Sequence, residues 1–251
     1  MNNEPILSRG VWRHYQPSEQ QLLATGAPAV DARLGGGIVS NGLHEFFGAV
    51  KTDATAAAAF ALMLALRLVE PRIFWISGDK ERQTSGRLYP LGMAEMGSNP
   101  ANMLLVQAAD LRDALRAAAD SIRSKAAGAV ILEAQGNAKL IDLTSTRRLA
   151  LAAAEAGVLA LLVRGDAVPM PSAASTRWQV KSAPSVPLPG NAPGLATFDI
   201  SLLRHRGGIA PFAARVTWDH ATRSFQDTPL SGGLSAAVTG GEASSDARLQ
   251  A

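Results

Sequence analysis

Thr25-Gly26, then Leu34-Gly35-Gly36-Gly37-Ile38, then Gly42-Leu43-His44-Glu45-Phe46-Phe47-Gly48, running directly into Thr52–Leu68, is the stretch that decides the fold. Leu43–Phe47 is an apolar run bounded by glycines, which predicts a short strand ending at Gly48. Thr52–Leu68 is built largely from Ala, Leu and Met, the strongest helix formers, and Pro71 forbids its continuation. Read in order, this is a glycine turn, a strand, a glycine and a helix.

The same alternation continues outward. Arg72–Ser77 and Met103–Val106 read as strands, and Asp110–Lys125 as an amphipathic helix whose acidic start and basic end suit its dipole. Ala129–Glu133 is a further buried strand. Ser145–Ala156 is a helix closed by Gly157 as a C-terminal cap, and Val158–Val163 is the next strand. Strand and helix in strict alternation predict a mostly parallel sheet covered on both faces. After Pro169 the texture changes. Arg177–Val180, Thr197–Leu203, Ala213–Trp218 and Arg223–Phe225 are short segments separated by Pro and Gly, expected to add an antiparallel meander to the sheet edge. The expected organisation is a loose N-terminal arm over 1–24, one α/β domain over 25–226, and a disordered Gly/Ser/Ala-rich tail over 227–251. No internal repeat is visible.

Hydrophobic residues make up 47% of the 251-residue chain and charged residues 18%, which allows a substantial core and excludes a chain disordered throughout. Cysteine is absent, excluding disulfides and thiolate metal sites, and the four histidines (His14, His44, His205, His220) are scattered, against a zinc or haem centre. Met1–Gly10 lacks the apolar core of a signal peptide, and the longest apolar run, Ala54–Leu66, falls short of the about 20 residues that cross a bilayer. A cytoplasmic protein without membrane contact is therefore expected. The net charge of +3 and pI of 9.6 permit nucleic-acid binding without requiring it.

A strand–glycine–helix unit invites comparison with the phosphate-binding loop G-x-x-x-x-G-K-[ST]. There glycine curvature turns N–H groups to the phosphates, the lysine reaches the β/γ oxygens and the hydroxyl holds Mg²⁺. Counted from Gly48, Asp53 stands at the second glycine, Ala54 at the lysine and Thr55 at the hydroxyl. A carboxylate at that point would repel phosphate. Lys51-Thr52 offers a substitute from a shortened loop, without the preceding glycine. The candidate site is thus a vestigial one: Gly48, Lys51, Thr52, Thr55 and, on a neighbouring strand, Glu133. Neither ATP nor Mg²⁺ is expected as a working cofactor. No Ser–His–Asp set can be assembled, and Glu45 beside His44 is at best a weak acid/base pair, so no catalytic residue is assigned.

The ordered lead-in at Thr25, Leu34–Ile38 and Gly42–Gly48 resembles the approach to the ATP site of RecA-type recombinases. The similarity continues through Met96–Val106 and Ala129–Glu133 to Leu202–Phe212, covering about residues 25–225. It implies a RecA-like P-loop NTPase core. It places Glu133 where a Mg²⁺-positioning carboxylate lies, Asp79 where a water-activating one lies, and Arg204 and Arg206 where paired bases reach a neighbouring protomer. Gly42–Glu45 with Gly48, Leu143–Leu149 with Ala152–Gly157, Ser175–Val180 and Leu203–Gly208 resemble the ImuA branch, whose phosphate loop is degenerate. That resemblance implies a DNA-damage-induced accessory factor of error-prone translesion synthesis. Its partners would be an ImuB-type Y-family polymerase homologue and an error-prone replicative-type polymerase, with RecA filaments, self-association and DNA as further contacts.

Each of these residues also has a plainer reading. Gly35–Gly37 serves as a turn, Glu133 as a strand-end carboxylate, Asp79 as a loop residue after Gly78, Arg147-Arg148 as a solvated helix face, and Trp178 and Trp218 as core. Arg177, Arg204 and Arg206 are the expected interface or phosphate contacts. Gly165–Thr176, where recombinases carry a strand-gripping loop, has no aromatic residue for base stacking. Two further readings stand beside the accessory factor: an active DNA-dependent ATPase, and a SulA-like cell-division inhibitor.

Overall fold

A computed structural model describes residues 21–228, apart from residues 70, 80–82 and 84–85. Its frame is a nine-stranded sheet made of β3 (Leu43–Gly48), β4 (Ile73–Gly78), β5 (Met103–Ala108), β6 (Ala129–Gln135), β7 (Leu159–Gly165), β8 (Thr176–Ala183), β9 (Thr197–His205), β10 (Phe212–Asp219) and β11 (Ser224–Thr228). Across the sheet the order is β11-β10-β9-β8-β3-β7-β6-β4-β5. Pairing is parallel from β5 through to β8 and antiparallel among β8, β9, β10 and β11. The expected mixed architecture is therefore present, with one correction. The first of the four late segments joins the two halves: β8 pairs antiparallel with β9 and also parallel to β3, with Glu45 opposite Arg177.

Two helical layers cover the sheet. On one face, α1 (Pro28–Leu34), α2 (Ala54–Ala65) and α3 (Pro90–Glu95) bury Val30, Leu34, Phe60 and Met93 against Phe46, Trp75, Ile131 and Val163. On the other, α4 (Leu111–Arg123) and α5 (Leu143–Ala156) bury Ala114, Ala118, Leu149 and Ala153 against Ile76, Val130, Leu132 and Leu162. The Phe60 ring lies 4.7 Å from Phe225 and 5.7 Å from Phe46 and Phe198, so one aromatic cluster joins α2 to the meander. Such pairs contribute about 0.5–1.5 kcal/mol each beyond area burial. Trp178 and Trp218 are core residues as expected.

Local chemistry sets the element ends. α2 starts at Ala54 rather than Thr52 because Lys51–Asp53 forms a 3₁₀ turn. α5 starts at Leu143 because Asp142 and Ser145 form a reciprocal capping box, and it ends at Gly157 in the left-handed region at φ 73°. β1 (Leu22–Leu23), inside the expected loose arm, pairs with β2 (Ile38–Val39). Gly37 at φ 136° permits that pairing, since a Cβ there would run into the Leu23 carbonyl. At the other end Asp227 and Thr228, expected in the tail, belong to β11 opposite Val216 and Arg215. Residues 1–20 and 229–251 lie outside the described residues.

Candidate functional site

The loop between β3 and α2 carries Lys51 and Thr52, with Gly48 ending β3 and Thr55 in the first turn of α2, and its backbone is folded in on itself. A Cβ on Gly48 would sit 2.8 Å from the Asp53 carbonyl carbon and the Ala54 nitrogen, so glycine is required by the loop's own closure. Ala49 N–H donates to the Val180 carbonyl (3.0 Å), Asp53 N–H to Val50 (2.9 Å), and Ala54 N–H to Lys51. These amides, which a phosphate-binding loop would turn towards an anion, have partners within the protein.

Asp53 is buried at the start of α2. Its Oδ1 accepts the Ser182 N–H of β8 at 3.1 Å, while Oδ2 has no partner among the described residues. The sequence placed this carboxylate where it would repel phosphate; the structure turns it down onto the sheet, as a clasp between α2 and β8. Lys51 points outward, its side chain 69% exposed and its Nζ 3.7 Å from Asp166 Oδ2 at the end of β7. Thr52 and Thr55 are exposed. Thr55 and Glu133 line one cleft of about 320 Å³ between α2, α3 and the carboxyl ends of β5 and β6. Asp79 lies exposed directly after β4. Measured against a Mg²⁺-bound triphosphate, the residues present do not fit. The signature lysine position is Ala54, the nearby ammonium is held by an exposed carboxylate, and the loop supplies a buried carboxylate instead of a second glycine. Among the described residues no group of three His, Asp or Glu side chains is placed to hold a metal ion.

Arg177, expected with Arg204 and Arg206 at an interface or on DNA, is internal. Its Nε donates to Glu45 Oε2 at 3.0 Å, with side-chain exposures of 11% and 1%. The same guanidinium donates to Ser172 Oγ (2.9 Å) and to the Met170 carbonyl, and Ser172 Oγ donates to Glu45 at 2.7 Å. The reason is topological. β7 and β8 are both parallel to β3 and lie on either side of it, so residues 166–175 must run back along β3 and cover it. Glu45 and Arg177 pin that crossover. Phe47 is flanked by two guanidinium groups, Arg164 at 5.6 Å and Arg177 at 5.9 Å from its ring. Burial pulls the Arg164 guanidinium below its usual range, the nearby Glu45 charge opposing the shift and Arg177 adding to it. Arg164, near the end of β7, is internal because that crossover covers it. His44 and Glu45 do not form a pair, because successive strand residues face opposite sides of the sheet. His44 bonds Thr176 and Val39 instead.

Arg204 and Arg206 are exposed, at the end of β9 and in the turn after it. The fold brings Arg147 of α5 to the same groove, a neighbour that sequence spacing did not reveal. Arg204 Nη1 reaches the Ser172 carbonyl at 3.3 Å. Burial holds the His205 imidazole below its ordinary range, and its Nδ1 accepts the Gly207 N–H at 3.0 Å. Among the described residues no helix is long and apolar enough to cross a membrane.

Comparison with known proteins returns no matching family model. Protein ImuA of Caulobacter vibrioides, in strains NA1000 / CB15N and ATCC 19089 / CIP 103742 / CB 15, is 29% identical over 204 residues, which cover 74% of this chain and 80% of that protein. Among solved structures, the RadB recombinase superposes with a TM-score of 0.54 at 17% sequence identity, over 83% of this chain and the whole of that one. The fold is therefore RecA-like, and the chain is similar to ImuA.

Proposed function

We propose that this similarity carries a role: the chain is a non-enzymatic accessory factor of DNA-damage-induced, error-prone translesion synthesis. It acts with an ImuB-type polymerase homologue and an error-prone replicative-type polymerase. The likeness to Protein ImuA over most of both chains supports the process. The observation that supports a scaffold in place of an enzyme is Asp53, whose buried carboxylate clasps β8 at the position where nucleotide chemistry needs a glycine. In this reading the recombinase frame persists for protein contacts while hydrolysis is lost. Affinity capture of the tagged protein from DNA-damaged cells, with mass spectrometry, tests it. Co-elution of both polymerase-type proteins is expected; capture of a cell-division GTPase in their place would sink the reading.

A second reading, a DNA-dependent ATPase with an irregular loop, draws on Thr55 and Glu133 sharing one cleft. Titration with a fluorescent ATP analogue, with and without single-stranded DNA, separates the two. Micromolar binding abolished by Lys51→Ala would favour the enzyme. Conversely, Asp53→Gly combined with Ala54→Lys restores the full G-x-x-x-x-G-K-T pattern from Gly48 to Thr55. On the scaffold reading the double variant binds the analogue at least tenfold more tightly than the natural sequence.

A further inference from the structure

On the α4/α5 face lies a groove of about 800 Å³ between α5, the start of β3 and the β9–β10 turn. Its charged lining is Arg147, Arg204 and Arg206, and among the described residues no carboxylate lines it. None of the three arginines makes an ion pair among the described residues. Along α5, Leu143, Arg147, Ala150, Leu151 and Ala154 recur at intervals of three and four, so they form one stripe. That stripe faces the groove, away from the buried stripe of Thr146, Leu149, Ala152 and Ala153. Leu143 and Leu151 are left 55% and 49% exposed two turns apart. α5 thus has two apolar faces, one packed on the sheet and one unpartnered beneath three arginines.

The geometry points to a docking site for an acidic amphipathic helix of a partner protein, with leucine-type anchors on the α5 stripe and carboxylates on the three arginines. This rests on the reading of the chain as a scaffold for protein contacts and assigns that role to one surface. A second copy of the chain is the poorer occupant, because a two-fold contact through this face would oppose arginines to arginines. A nucleic-acid backbone would satisfy the cations but leave the leucines uncovered, and among the described residues no Phe, Tyr or Trp side chain lines the groove for bases to stack on. An acidic helix complements both features at once.

The test uses the purified full chain and a fluorescein-labelled 20-residue helical peptide. The peptide carries leucines at heptad positions a and d and Glu or Asp elsewhere; its scrambled isomer and a 20-nucleotide oligo-dT serve as competitors. Anisotropy should show binding at least tenfold tighter than the scramble. That binding should weaken at least tenfold in Arg147→Glu/Arg206→Glu and separately in Leu151→Asp, all exposed positions whose variants should melt like the natural chain. Equal affinity for peptide and scramble, or affinity untouched by the variants, overturns the proposal. So does oligo-dT binding lost in the charge-reversal variant while the peptide fails to bind. So does a dimer in sedimentation that the same variant dissolves. The assay contains no cellular partner. Peptide binding with failed capture of the polymerase homologues would therefore remove the functional reading and leave the groove, and the reverse pair of results would do the opposite.

Discussion

His44 donates from Nε2 to the Val39 carbonyl at 2.8 Å and accepts at Nδ1 from Thr176, whose hydroxyl in turn accepts from Trp178 Nε1 at 2.7 Å. That arrangement fixes the Nε2–H tautomer, and burial pushes the imidazole down from its ordinary 6.5 to about 4. In the unfolded chain the ring takes up a proton below about pH 6.5, whereas in the fold it resists until about pH 4, so stability falls as pH is lowered through that window. The loss amounts to about 3 kcal/mol. Urea unfolding at pH 7 and pH 5 should show most of it, and His44→Gln should flatten the slope; equal slopes would show that His44 is not its source. Asp199, held low by its two hydrogen bonds from Arg215, acts in the same direction only at lower pH. Glu45 is the second residue-scale test. Glu45→Ala leaves Arg177 buried without its partner and should cost about 3–5 kcal/mol. Arg177→Ala should cost a comparable amount, and the double variant less than the sum, in a urea double-mutant cycle.

At the scale of elements, α5 is held by its ends. Its N-terminus is closed by Asp142, which accepts the Ser145 N–H at 2.7 Å while Ser145 Oγ accepts the Asp142 N–H at 3.0 Å. Asp142→Ala should therefore lower stability by about 1 kcal/mol. Gly157, in the left-handed region with open space around its Cβ position, should cost about 1 kcal/mol as Gly157→Ala, through backbone conformation alone. Thermal unfolding reads both, and a neutral Gly157→Ala would mean that the helix end relaxes. The β3–α2 loop is an element of the opposite kind. Its conformation follows from β8. Without Ser182 N–H to receive it, the Asp53 carboxylate would have no reason to turn inward.

Across the whole molecule, the parallel half and the meander share one core. Trp218 of β10 packs on Phe225 at 4.8 Å and donates from Nε1 to the Met96 carbonyl at 2.9 Å, beyond the end of α3. Trp218→Ala should cost about 3–5 kcal/mol. Because the cluster spans both halves, tryptophan fluorescence and far-ultraviolet circular dichroism should still report a single transition. Separate transitions would mean that the meander folds apart from the parallel strands.

What the sequence determined by itself is the order and kind of the elements. The apolar runs at Leu43–Phe47, Ala129–Glu133 and Val158–Val163, the Ala/Leu-rich helix before Pro71 and the glycine at position 157 are local signals, and local propensity with hydrophobic period is sufficient to read them. The departures of Gly48–Thr55 from the G-x-x-x-x-G-K-[ST] pattern are likewise properties of the sequence alone. The tertiary structure alone decided which side chains met. Arg177 carries the same charge and sits in the same kind of short alternating segment as Arg204. Yet one is buried on Glu45 and the other exposed in the groove that Arg147 also lines, because the 166–175 crossover encloses Arg177 over β3 but forms only one wall of the groove around Arg204. Burial, ion pairing and the inward turn of Asp53 depend on strand order, a property of contacts between residues far apart in the chain that no local pattern encodes.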